Sequence, residues 1–133
     1  MSRYDWNDER HALGVATMDA THREFLELAR AIESGPPAEF ATRFEGLVEH
    51  TRAHFAAEEA LMRETACPSL REHEADHARV LGDLGRFLQS VAKGRPAMAR
   101  AYIASGLSEW FDLHVATMDA QLAAHLNARQ HAG

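Results

Sequence analysis

The stretch Leu70-Arg71-Glu72-His73-Glu74-Ala75-Asp76-His77-Ala78-Arg79-Val80-Leu81-Gly82-Asp83-Leu84-Gly85-Arg86-Phe87-Leu88-Gln89-Ser90-Val91 decides the fold. Leu70, His73, His77, Val80, Leu84, Phe87 and Val91 follow one another in steps of three and four. That spacing draws one stripe along an α-helix, the inward seam of a helical bundle. Two histidines sit on the stripe where leucines would be expected.

The same pattern extends in both directions. Upstream, Phe40, Phe44, Leu47, Thr51, His54, Glu58 and Leu61 form a second seam, and His22, Phe25, Leu26, Ala29 and Ile32 a third. Downstream, Ile103, Leu107, Trp110 and His114 form a fourth. Gly35-Pro36-Pro37, Cys67-Pro68 and Gly94-Arg95-Pro96 separate the four stretches, and a residue before proline avoids helical geometry. No stretch alternates with period two, so no strand is expected. The chain reads as one all-α domain over 1–133, an antiparallel up-down-up-down four-helix bundle with a metal pair in its core. An N-terminal arm over 1–18 precedes helices over about 19–34, 37–65, 69–92 and 96–129. Asp19 is the expected N-cap of the first helix.

Composition removes several function classes. The chain has 133 residues, is 46% hydrophobic and carries a formal net charge of −6. Thirteen of its fourteen basic residues are arginines, scattered without a stripe for nucleic acid. No apolar run approaches the roughly 20 residues of a membrane span. The first ten residues are too polar for a secretory signal. The single cysteine, Cys67, allows no internal disulfide and suits a reducing compartment. A cytoplasmic, monomeric protein is expected.

The donors on the seams carry the chemistry. His54 and Glu58 are four residues apart and share a face, as do His73 and His77. His22 and His114 occupy the seams of the first and last helices. Counting back from the Cys67-Pro68 turn, Glu58 and His77 lie at the same level, about 12 Å from it. A buried polar group without a partner is costly. Five imidazoles and two carboxylates, the second being Asp119, exceed one ordinary metal but suit two. Mixed nitrogen and oxygen donors favour iron or manganese over soft-ligand copper. Asp119 is five residues after His114, or about 140° around a regular α-helix. A π-bulge, kink or local opening between them is therefore expected, and Leu122 and Leu126 keep the phase that Asp119 sets.

Among the other polar residues, His50 is read as a flanking group. Ligand histidines donate their outer ring N–H to a neighbour, a role open to Glu59, Glu49 and Asp76, but these three are placed on the solvated face, and His11, His125 and His131 are expected to be exposed near the ends. The repeat of Val-Ala-Thr-Met-Asp-Ala at 15–20 and 115–120 is too short to mark a structural repeat.

The set His22, His54-Phe55-Ala56-Ala57-Glu58-Glu59, His73-Glu74-Ala75-Asp76-His77 and His114-Val115-Ala116-Thr117-Met118-Asp119 resembles the hemerythrin family, especially its single-domain bacterial members. Trp6 and the Leu13–Asp19 lead-in to His22 look similar too, so the resemblance runs from about Tyr4 to about Asn127. It implies that His73, His77 and His114 hold one iron and His22 and His54 the other. Glu58 and Asp119 would bridge two iron ions per chain (Fe2+/Fe3+), together with an oxo or hydroxo group. Dioxygen would bind reversibly at the open position of the two-histidine iron, for carriage, storage or delivery. Phe55, Trp110 and Val115 are the expected walls of an oxygen pocket, with Ala116 and Met62 as further candidates.

Two other function classes stand beside this one. A sensing module would act on a separate partner, which the sequence does not identify. A di-iron oxidase, peroxidase or nitric oxide reductase would turn over a substrate. Ferritin-like di-iron enzymes use two Glu-x-x-His motifs and two further glutamates. Here only Glu74-Ala75-Asp76-His77 has that form, with Glu74 off the seam, so a non-enzymatic oxygen-binding protein is expected.

Overall fold

The computed structural model describes residues 2–132, with side chains described for 2–130. A one-turn helix α1 (Asp8–His11) is followed by α2 (Ala16–Ser34), a 3-10 turn (Pro37–Glu39), α3 (Phe40–Glu64) and α4 (Leu70–Ala92). The last helix, α5 (97–132), is continuous but changes winding twice. It runs through Ala97–Ala101, a π-helical stretch Tyr102–Gly106, Leu107–His114, a second π-helical stretch Val115–Asp119, and Ala120–Ala132. No strand occurs among the described residues.

Cross-helix pairs fix the antiparallel order. Glu24 of α2 meets His50 of α3, while Arg43 reaches the Ala31 carbonyl. Glu58 of α3 faces His73 and His77 of α4, and Arg63 pairs with Glu74. Phe87 of α4 packs on Tyr102 of α5, and Asp76 on His114. Phe25 of α2 stacks on Phe111, closing the bundle.

Residues along the four seams are buried with few exceptions, and they fall into two apolar clusters. The larger includes Phe25, Phe44, Leu47, Phe55, Val80, Leu84, Phe111 and Val115. The smaller contains Met18, Met62, Cys67, Leu122 and Ala123. In α2, α3 and α5 the candidate donors come between residues of the two clusters, so the site lies at one level of the bundle with apolar packing above and below it.

Three expectations about local structure need correction. First, the arm is shorter than expected and contains a helical turn of its own. Helix α1 is capped by Asn7, whose side chain accepts from the Arg10 amide, and α2 starts at Ala16 rather than 19. Asp19 is therefore inside the first turn instead of at the N-cap. Its Oδ1 accepts from the Leu13 amide at 2.9 Å, and its charge suits the positive end of the helix. Second, His11 is fully buried, held by Asp112 at 2.8 Å and packed between Trp6 and Phe111. Third, His125 is half-buried and bonds to the Thr65 carbonyl at 2.8 Å, so it satisfies an unpaired end of α3. His131 lies outside the residues whose side chains are described.

The turns follow backbone chemistry. Gly94 ends α4 with φ of 77°, the left-handed conformation that glycine adopts most readily. Within the first π-helical stretch, the ring of Tyr102 lies over Gly106, where a Cβ would come within 2.7 Å of it. The hydroxyl of buried Tyr4 donates to the Ile103 carbonyl in that same stretch.

Candidate metal centre

Seven polar side chains meet between the two clusters. Six are almost fully buried, and His54 keeps a 13% exposed edge. Helices α2, α3, α4 and α5 contribute His22, the pair His54 and Glu58, the pair His73 and His77, and the pair His114 and Asp119. The π-helical stretch Val115–Asp119 does what the i+5 spacing required. Wider winding there turns Asp119 to the same interior as His114, with Oδ1 3.3 Å from His114 Nε2.

The two carboxylates divide the site into halves. Oε1 of Glu58 lies 2.8 Å from His73 Nε2 and 3.2 Å from His77 Nε2, while its Oε2 lies 3.2 Å from His54 Nε2. Oδ1 of Asp119 lies 3.1 Å from His73 Nε2, while its Oδ2 lies 3.2 Å from His22 Nε2. Each carboxylate thus turns one oxygen toward the three-histidine half and one toward the two-histidine half. His73 and His114 also bring their Nε2 atoms within 3.2 Å. Both Glu58 oxygens, both His22 nitrogens, His77 Nε2 and Asp119 Oδ1 are buried without a directed hydrogen bond. Donor atoms crowd together with too few protons between them. Cations would satisfy them, so this donor set fits a metal pair.

Without metal, protons do part of that work. Burial lowers the His73 pKa, but the carboxylates of Asp119 and Glu58 pressed against its ring outweigh it and bring the pKa up to about 9. His114 is raised too, with Asp119 overcoming burial. Burial dominates at His54 and takes it down to about 4, with Glu58 offsetting only part. Burial pushes both carboxyls up, yet the imidazoles close around them hold Glu58 low and Asp119 lower still. The raised His73 stabilises the metal-free fold fully below pH 6.5, its ordinary value, and loses that contribution as pH rises through about 9. The depressed His54 contributes above pH 6.5 and loses its contribution as pH falls through about 4. The thermal midpoint of chelator-treated protein should therefore peak near pH 6.5 and fall on both sides. A midpoint still rising at pH 9 would contradict this picture.

Outer partners orient two of the imidazoles. His77 Nδ1 bonds to Glu59 Oε2 at 2.8 Å, and His114 Nδ1 to Asp76 Oδ2 at 2.6 Å. Trp110 Nε1 donates to the same Asp76 oxygen at 3.0 Å, and Arg79 to the other oxygen at 3.0 Å. Burial raises the Asp76 carboxyl, but these three hydrogen bonds keep it below its ordinary range. Glu59 and Asp76 therefore face inward with their carboxylates, contrary to the solvated placement expected. Glu49 does lie outside and pairs with Arg52. His50 turns away to Glu24.

A cavity of about 10 Å³ adjoins the two-histidine half. His22, Phe25, His54, Phe55, Trp110, Phe111, His114 and Asp119 line it. Phe55 and Trp110 are where the sequence placed them. Val115 is not among the lining residues and packs in the larger apolar cluster, while Met62 belongs to the smaller one and Ala116 is exposed. Phe25 and Phe111 are walls that the sequence reading missed. Phe111 is four residues after Leu107 and three before His114, a spacing that marks it as inward-facing.

Comparison with known proteins agrees with this geometry. The profile of the family described as Hemerythrin HHE cation binding domain matches residues 13–126. A bacteriohemerythrin of Ralstonia nicotianae is 33% identical over 124 residues, covering 93% of this chain and 89% of the relative. A bacteriohemerythrin of Stenotrophomonas maltophilia is 26% identical over 136 residues, covering 95% and 87%. No solved structure matches significantly. No helix among the described residues is long and apolar enough to cross a membrane. With seven donors gathered in the core of a four-helix bundle and a family profile spanning that bundle, the chain belongs to the hemerythrin family.

Proposed function

We propose that this protein binds dioxygen reversibly at two irons held by His22, His54, Glu58, His73, His77, His114 and Asp119. The observation that carries the reading is the placement of the carboxylate oxygens, one from each of Glu58 and Asp119 toward each half. The three-histidine half then has five donors and the two-histidine half four. The cavity adjoins the half with fewer donors. When bound, an iron pair supplies the two electrons that reversible capture of dioxygen needs. The chain supplies selection and protection. Phe25, Phe55, Phe111 and Trp110 surround the open side with three phenyl rings and one indole, an apolar lining. Glu59 and Asp76 fix the ring orientation of His77 and His114 by accepting from their outer nitrogens.

Cavity size favours binding over turnover of an organic substrate. About 10 Å³ leaves room for a small ligand of about water's width and none for a bulky organic molecule. In this reading the protein acts in the cytoplasm as a single chain, carrying, storing or delivering dioxygen. Metal analysis of the loaded protein should give two irons per chain. Its reduced form should take up one dioxygen per iron pair and release it under vacuum with the spectrum restored. One zinc per chain, or irreversible oxidation in air, would refute the reading.

A further inference from the structure

The cavity must have an entrance, and its walls restrict where that is. Of its eight lining residues, six are buried, leaving only His54 and Trp110 partly exposed. His54 is fixed in the donor cluster, with Nε2 3.2 Å from Glu58, and its exposed edge lines a separate surface pocket with Thr17, Thr21 and Ala57. Trp110 has no place in that cluster. Its one polar atom, Nε1, is spent on Asp76 of the neighbouring helix. Its ring stacks on His114, with centroids 4.7 Å apart and planes at 24°, and meets Phe55 edge-on.

Asp76 gathers three donors from two helices. One oxygen takes Nδ1 of His114 and Nε1 of Trp110, and the other takes Arg79 from the next turn of its own helix. We propose that Asp76 is a positioning residue: its carboxylate holds the Trp110 indole closed over the cavity and orients His114, so one side chain sets both ligand entry and the grip on the metal. The inference rests on the iron reading above. To turn, the indole must give up a charge-assisted hydrogen bond and its stacking on His114. Entry past it is therefore slow until that bond opens.

The test uses the full, iron-loaded, oxidised protein with azide as the entering probe. W110F and D76A should each speed azide association about 10- to 100-fold, the rate equivalent of one charge-assisted hydrogen bond. Because both variants break one tether, the double variant should be no faster than the faster single. D76A should also weaken iron binding about 10- to 100-fold, whereas W110F should not, since only D76A takes the partner from His114. Multiplying effects in the double variant, or an unchanged azide rate in D76A, would overturn the proposal. Should D76A not fold, an unchanged rate in W110F overturns it alone. A wild-type protein that takes up no iron pair would refute the iron reading itself, and an iron-loaded one with unaltered variants would refute only the role of Asp76.

Discussion

Replacing Glu58 by Gln should cut the iron content from two per chain to one or none. Glutamine keeps the shape of the side chain, so the helix and its packing should survive, and circular dichroism should be unaltered. What it removes is the anion shared by the two halves. Two divalent ions held close together repel strongly in a weakly screening interior, and two buried carboxylates are the only anionic groups within the cluster. With one of them neutral, the second ion loses both a ligand atom and half of its charge compensation. Loss of an outer partner typically weakens metal binding about 10- to 100-fold, and loss of a shared inner ligand should exceed that. D119N should behave alike, because Asp119 spans the halves in the same way. Two irons per chain in both variants, by metal analysis after exhaustive desalting, would show that neither carboxylate joins the pair.

The second large effect is on stability and should spare the iron. Phe44 is fully buried in the larger apolar cluster and stacks on Phe40, with ring centroids 5.7 Å apart. F44A removes the ring and leaves a hole that the neighbouring helices can only partly close. The cost should be about 3–5 kcal/mol. For a chain of this size that lowers the thermal midpoint by roughly 10–20 °C. Phe44 is ten residues before His54 on α3, about 15 Å along the helix axis. Below its lowered midpoint the variant should thus keep two irons and an unaltered visible spectrum. Iron loss in parallel with stability would mean that the apolar cluster and the donor layer form one cooperative unit.

These expectations also show which parts of the molecule are written in its sequence. Seams make bundles legible, because burial demands a periodic apolar stripe, and His22, His54, His73, His77 and His114 stood out as polar residues on such stripes. Asp119 was legible for the opposite reason. Its spacing from His114 broke the period, which called for a bulge, kink or local opening, and the structure meets it with a π-helical stretch. The π-helical stretch Tyr102–Gly106 left no such mark, since Ile103, Leu107, Trp110 and His114 keep ordinary α-helical spacing across it. Asp76 and Glu59 were legible only as candidates for partners of the imidazoles, alongside Glu49, and were placed wrongly on the solvated face. An acid at the edge of a helix face has the same pattern whether it accepts from a buried ring or from water. His11 was misjudged because closeness to the terminus says nothing about whether the arm folds back, and here Trp6 and Phe111 enclose it.

The hexapeptide Val-Ala-Thr-Met-Asp-Ala, present twice, shows what the winding of α5 does to identical letters. At 15–20 it opens a helix, and its aspartate reaches backward to an amide at the rim of the bundle. At 115–120 it is underwound into a broader coil, and its aspartate becomes an anion sealed in the interior. Copying either hexapeptide's role onto the other would confuse a surface fastening with an inner ligand. In this fold a residue's meaning is set by how many residues its turn of helix contains, and matching letters between homologues transfers a function only where that count is also the same.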